Sequence, residues 1–268
     1  MAALGADVAM GELVFVGLGL HDETDITLKG LEAARAADVV FAEFYTSALR
    51  DTTPETLAKL LGRPVSGLRR EEVERGTEVL EAAKRQRVVL LVPGDPMVAT
   101  THVDLRLRAH AAGIPTRIVH GPSIASAAPG LLGLQSSKFG RATTVPFASG
   151  AYRPASPLEV IVENRKRGLH TLVLLDVQEG GTVLPARDAL RYLLDLAREG
   201  PSKDFGESSL VCVLSAVGSA APKATAGRAG DLAGRDLGPS PQCIVVPGEL
   251  HFMERDALIA FAGAPRDL

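Results

Sequence analysis

Cysteine is scarce: the chain has two, Cys212 and Cys243, among 268 residues. Each stands inside an apolar run, LVCVL and QCIVV, far from the other in sequence. That arrangement matches neither a metal-binding pair nor the disulfide framework of a secreted protein, so both read as buried thiols on strands of a cytoplasmic protein. Long hydrophobic runs are missing too. The longest, such as Val88 to Pro93 and Leu172 to Leu175, fall far short of the ~20 apolar residues of a membrane span. Charge of one sign is not in excess: 29 Lys and Arg stand against 32 Asp and Glu, a formal net charge of -3. A chain so near neutrality lacks the broad positive field that draws a protein onto nucleic acid. The opening MAALGADVAM has no basic segment ahead of an apolar one and contains Asp7. Residues 1–10 read as a tail and not a secretory signal, with Met10 as a second candidate start.

What is present is alternation. From Leu13 onward, apolar runs of strand length take turns with helical patterns, the sign of a mostly parallel sheet covered by helices. LVFVGLGL (13–20) reads as a buried strand entering a glycine turn, Thr27 as the cap of a helix through LKGLEAARAA, and VVFAEF (39–44) as the next strand. Helices are expected after Pro54 and over Glu71 to Arg85, followed by the strand RVVLLV, a helix Thr101 to Ala112 stopped by Gly113, and the strand TRIV. The second half offers strands in ATTVPF, TLVLLD, LVCVLSA and CIVVPG, with helices near Glu159 to Arg167, Ala186 to Arg198 and Met253 to Ala262. Between Gly130 and Phe147 the pattern loosens. The expectation is two α/β domains with parallel or mixed sheets, residues 11–130 and 131–268, and a loop-rich stretch from Ala221 to Pro241 with room for a hairpin.

Three turns carry the chemistry: GLGL at 17–20, PGDPMV at 93–98 and GPSIA at 121–125. Each follows an apolar strand, the end of an open α/β sheet where ligands lie, and glycine there lets a ligand approach the backbone. GLGL invites a dinucleotide reading, with Glu43 as a partial ribose acid. However, Asp22 stands at the third glycine position, and the acids of HDETD would repel a pyrophosphate. GPSIA lacks the last glycine of a nucleophile elbow. No P-loop, HExxH or paired-cysteine motif occurs, and the histidines are scattered singly, so no metal is expected.

These turns, in this order, resemble the tetrapyrrole-methylase-like class of S-adenosylmethionine methyltransferases and, within it, the diphthine synthase family. The stretches LVFVGLGLHDETDITLKGLEAARAADVVFAEFYTS, VPGDPMVATTHVDLRLRA, HGPSIASA, ENRKRGLHTLVLLD, VCVLSAVGS and VPGELHFMERDAL carry the likeness. The resemblance implies a homodimer of subunits with two α/β domains and cofactor lying in the cleft between them. It also implies repeated N-methylation of an aminocarboxypropyl-histidine on translation elongation factor 2. Carried over residue by residue, it puts cofactor contacts at Leu20, Asp95, Val98, Ser123, Ile124, Leu175, Val217 and Gln242. Relatives often carry histidine where Gln242 stands, so a backbone contact would survive the change and a side-chain contact would not. Asp95 has a competing role, because Gly-Asp-Pro is a turn whose carboxylate caps its own backbone. Tyr45, Thr101, His102 and His170 lie in matching segments, yet turn or capping roles suit them equally, and no catalytic base is assigned. The rival readings are a corrinoid-precursor or ribosomal-RNA methylase of the same class, a nicotinamide-dependent oxidoreductase, and a cofactor-binding module without turnover.

Overall fold

Leu13 to Val16 and Val88 to Val92 are unbroken runs of Leu, Val and Phe, the composition of strands covered on both faces. In the computed structural model, which describes residues 11–47, 49–149, 152–178, 180–200 and 203–268, both runs are fully buried. The expected tail, with Met10, lies outside the described residues. The chain divides by its contacts into two units between Ser123 and Ile124.

In the first unit β1 (Glu12–Gly17), β2 (Val39–Glu43), β3 (Ser66–Leu68), β4 (Arg87–Val92) and β5 (Thr116–Val119) form a sheet in the order β3-β2-β4-β1-β5. Every pair is parallel. Alternate residues face opposite sides. Val14, Val16, Val89 and Leu91 pack against Ala33 and Ala34 of α1 (Leu28–Arg35) and Leu57 and Leu61 of α2 (Pro54–Leu61). Leu13, Phe15, Val88 and Leu90 pack against Val73 of α3 (Arg70–Arg75), Val79 of α4 (Thr77–Ala83) and Leu105 of α5 (His102–Ala111). Thr27 caps α1 as expected, its hydroxyl accepting the Gly30 N–H at 3.0 Å. The single helix expected over Glu71 to Arg85 is instead two. Gly76 breaks it in the left-handed region (φ +65), and Arg108 donates to the carbonyls of Glu74 and Arg75, closing the end of α3.

The second unit contains α6 (Ile124–Leu132), β6 (Thr143–Val145), α7 (Ser156–Lys166), β7 (Thr171–Leu175), α8 (Ala186–Glu199), β8 (Leu210–Ser215), β9 (Lys223–Arg228), α9 (Ala229–Leu232), β10 (Gln242–Val246) and α10 (Phe252–Ala262). Its sheet runs β6-β7-β10-β8-β9. Only β6 and β7 pair in parallel; the rest are antiparallel. One face packs on α7 and α8 through Ile161, Leu190, Leu193, Val173, Val213 and Ile244. The pattern of the sequence draws its domain line after residue 130, whereas α6 falls by its contacts in the second unit, where it packs on α10. Both cysteines are buried and free on neighbouring strands, and burial pushes both thiols up, Cys243 to about 12. No helix among the described residues is long and apolar enough to cross a membrane.

Candidate functional site

Because β4, β1 and β5 are neighbours and parallel, the three glycine turns that follow them meet at one end of the first sheet. Gly19 and Gly94 exchange backbone hydrogen bonds, at 3.2 Å from the Gly19 N–H and 2.7 Å from the Gly94 N–H. A Cβ on Gly17 would lie 2.5 Å from the Gly94 carbonyl oxygen and 2.6 Å from the Gly121 nitrogen, and one on Gly121 would lie 2.6 Å from the same carbonyl. Gly17 and Gly121 therefore serve turn-on-turn packing rather than ligand approach. Gly94 is different: its φ is +69 and nothing lies within 4 Å of where its Cβ would be. Room for a ligand beside the backbone lies at that turn.

Two of the acids after GLGL are spent on their own loop, and Glu23 accepts the Thr52 hydroxyl at 3.0 Å. Asp22 accepts the Thr24 N–H at 2.8 Å, and Asp25 Oδ2 accepts the N–H groups of Leu20 at 3.0 Å and His21 at 2.8 Å. A carboxylate thus occupies the donors that a dinucleotide phosphate would need, which removes the basis of the oxidoreductase reading.

Asp95 has both of the roles weighed for a Gly-Asp-Pro turn open to it. Its Oδ1 accepts the Met97 N–H at 2.9 Å, the backbone cap, while Oδ2 lies 2.7 Å from His120 Nδ1. Each carboxylate oxygen has two lone pairs, so acceptor capacity is left over although the residue is 6% exposed. His120, the partner of Asp95, went unmarked in the sequence because a lone histidine after a strand carries no pattern. Val98 sits on the same turn, its N–H bonded to the Asp95 carbonyl at 3.2 Å and its side chain exposed. Ser123 is buried, and Ile124 opens α6 half-buried.

Leu175, Val217 and Gln242 come together at one end of the central strands of the second sheet for a reason the sequence does not show. β10 runs against β7 and β8, pairing Gln242 with Ser215 and Ile244 with Val173, so its first residue stands where β7 and β8 end. Both ends of the Gln242 side chain are held within the second unit. Its Nε2 donates to the Gly238 carbonyl at 2.7 Å, and its Oε1 accepts the Ala186 N–H at 2.8 Å, capping the start of α8. Gln242→Ala is expected to lower stability by about 1–3 kcal/mol through the orphaned Ala186 N–H. Titration with S-adenosylhomocysteine should show less than about a threefold change in its Kd, a shift below ~1 kcal/mol.

The two buried histidines separate cleanly. His170 is 0% exposed and uses both ring nitrogens: Nδ1 accepts the Gly248 N–H at 2.9 Å, and Nε2 donates to Glu254 Oε1 at 3.0 Å. That is a structural knot. His102, 1% exposed, spends Nδ1 on the Pro96 carbonyl at 3.0 Å, while its Nε2 lies 3.5 Å from the Tyr45 hydroxyl and 3.8 Å from Glu43 Oε1.

A parallel sheet with backbone-packed glycine turns, followed by a mixed sheet, is the architecture of a methyltransferase class that the chain also matches in sequence. The family described as Tetrapyrrole (Corrin/Porphyrin) Methylases matches residues 12–230 of this chain. Within that class, the chain is 45% identical over 255 residues to a diphthine synthase of Methanothermobacter thermautotrophicus, a match covering 95% of this chain and 97% of the relative. It is 43% identical to that of Methanosarcina mazei over 96% of this chain and 98% of the relative. A solved diphthine synthase structure superposes with a TM-score of 0.88 at 38% identity, covering 96% of this chain and 98% of that one. The chain belongs to the diphthine synthases of the tetrapyrrole methylase family.

Proposed function

We propose that this chain uses S-adenosylmethionine to methylate, in successive steps, the amine of an aminocarboxypropyl-histidine on translation elongation factor 2. It would act in the cytoplasm, as a homodimer, with Leu20, Asp95, Val98, Ser123, Ile124, Leu175, Val217 and Gln242 as its cofactor contacts. The observation that carries this reading is the GDPMV turn, where open space at Gly94 adjoins a carboxylate with free lone pairs. Those groups fit the cofactor. A carboxylate accepts from ribose hydroxyls, main-chain N–H and C=O groups read an adenine, and none of the eight residues is a cation that would repel a sulfonium.

When bound, the cofactor supplies an electrophilic methyl whose leaving group is a neutral thioether, so no general acid is required. The protein's part is alignment and exclusion of water. Holding an amine lone pair in line with a methyl can supply ~7–11 kcal/mol. The leftover acceptor capacity of Asp95 fixes the nucleoside end, and the half-buried Leu20 and exposed Val98 offer apolar contact that displaces water.

The deciding experiment incubates the chain with labelled S-adenosylmethionine and elongation factor 2 carrying the precursor group. Label on the modified histidine, together with a rise in melting temperature from S-adenosylhomocysteine and none from NADH, is the expected outcome. Stabilisation without transfer would leave a binding module, and stabilisation by NADH alone would reject the assignment.

A further inference from the structure

Glu43 and His102 are 0% and 1% exposed, sit at the carboxyl end of the first sheet, and have no part in holding the cofactor as described above. The Pro96 carbonyl only accepts, so the neutral His102 ring carries its proton on Nδ1 and turns a bare Nε2 toward Tyr45 and Glu43. The Glu43 carboxyl accepts the N–H groups of Tyr45 at 2.9 Å and Thr46 at 3.1 Å and the Thr46 hydroxyl at 2.5 Å, which fixes its orientation. A lone pair and a carboxylate facing each other away from water hold a proton between them far better than either does alone. Tyr45, half-buried, is the member of the trio with a path outward. It packs with Met97 of the GDPMV turn against the same apolar cluster.

We infer that Tyr45, His102 and Glu43 form a relay that removes the proton an acceptor amine must lose before each methylation. This rests on the N-methylation proposed above. An aliphatic amine, with a pKa of about 10.4 if it behaves like lysine, is mostly an ammonium ion near neutrality and has no lone pair to offer. The ammonium passes one proton to the Tyr45 oxygen while the Tyr45 hydroxyl proton moves to His102 Nε2. The amine becomes neutral, Tyr45 is unchanged, and the new imidazolium, stabilised by ionised Glu43, returns its proton through the Tyr45 hydroxyl to water before the next methylation. Tyr45 is thus the catalytic residue that touches the amine; His102 and Glu43 act through it.

The surroundings agree. Burial pushes Glu43 up to about 7 against the downward pull of its hydrogen bonds from Thr46 and Tyr45 and of Arg70 on α3. Burial pushes Tyr45 up to about 12, helped by Glu43 and Glu74 and opposed by Thr101 and by Arg70, whose guanidinium lies 5.2 Å from the ring centre. The phenol therefore stays neutral while protons pass through it. Burial lowers His102, against the hydrogen bond to Pro96, and keeps Nε2 bare. Below the Glu43 value the carboxyl is protonated and cannot stabilise the imidazolium, so transfer should slow as pH falls through about 7.

The test compares single-turnover methyl transfer across pH for the wild type, Tyr45→Phe and Glu43→Gln, alongside melting with S-adenosylhomocysteine. Tyr45→Phe should transfer roughly 100-fold more slowly, bind the homocysteine product as the wild type does, and recover rate in alkali, where the amine is already free. Glu43→Gln should flatten the rise in rate through neutrality. Tyr45→Phe with the wild-type rate and pH profile would overturn the relay, as would Glu43→Gln with the wild-type pH profile. A wild type that binds S-adenosylhomocysteine but transfers no methyl would overturn the proposed reaction itself. Should Glu43→Gln fail to fold, the phenylalanine variant still decides.

Discussion

Replacing Glu254 by Gln is expected to lower the melting temperature of the second unit by about 10 °C, corresponding to ~3–5 kcal/mol for breaking the bonds of a buried carboxylate. The side chain is 1% exposed and gathers four donors. Oε1 accepts the Gln135 N–H at 2.8 Å and His170 Nε2 at 3.0 Å; Oε2 accepts Lys138 Nζ at 2.6 Å and the His251 N–H at 2.9 Å. One carboxylate thereby ties the start of α10 to the segment before β7 and to the turn after α6. A glutamine keeps the shape, but its amide NH2 must face donors on one side, and the half-buried Lys138 loses its counter-charge. Burial alone would raise the Glu254 carboxyl; the bonds from Lys138, Gln135, His251 and His170 outweigh it and hold the value at about 2, below the ordinary 4.5. A folded-state value below the unfolded one means the stabilisation is complete above 4.5 and disappears as pH falls toward 2. Calorimetry over that window should show the wild type losing stability more steeply than Glu254→Gln. Parallel curves would show that the carboxylate contributes nothing as an ion.

Gly17→Ala and Gly94→Ala should fail in opposite ways, although both glycines belong to the same set of turns. A methyl at residue 17 meets backbone at 2.5 and 2.6 Å, from a carbonyl and an amide that cannot rotate aside. The turns must separate, and a loss of about 3 kcal/mol or more is expected, with cofactor binding lost alongside. At residue 94 the added methyl points into open space, and the strain of φ +69 on an alanine is worth roughly 1–2 kcal/mol. Its main effect should fall on S-adenosylhomocysteine, whose Kd is expected to rise at least about tenfold, ~1.4 kcal/mol, because the methyl takes the ligand's space. Chemical denaturation and calorimetric titration of the two variants check both halves. A Gly94→Ala protein that binds like the wild type would move the ligand away from this turn.

The elements that announced themselves in sequence are those whose own composition forces the outcome. Buried parallel strands such as VVLLV have no polar alternative, and Thr27 and Gly113 mark helix ends by local geometry. What stayed hidden depends on partners. β9 (KATAGR) has no apolar alternation and is a strand because β8 offers it a ladder; the Ala221 to Pro241 stretch supplies that one strand and not a hairpin of its own. β3 is a three-residue edge. α6 escaped notice because IASAAPGLL is small and apolar throughout and contains Pro129, so no helical stripe stands out. In the site, the turns were legible while their division of labour was not. Only coordinates distinguish Gly17, packed against backbone, from Gly94, facing space, or His170, with both nitrogens bonded, from His102, with one nitrogen aimed at a tyrosine and a glutamate.

The placement of β10 has a consequence for how the polypeptide acquires its shape. It follows every other strand in sequence, yet it lies between β7 and β8 at the middle of its sheet. During synthesis the amino-terminal unit has all of its strands by Val119 and can close early. The other half must wait as two unjoined pieces, β6 with β7 and β8 with β9, exposing apolar edges until the ribosome releases the segment that bridges them. A chain stopped before Gln242 would keep those edges bare and be prone to sticking to its copies.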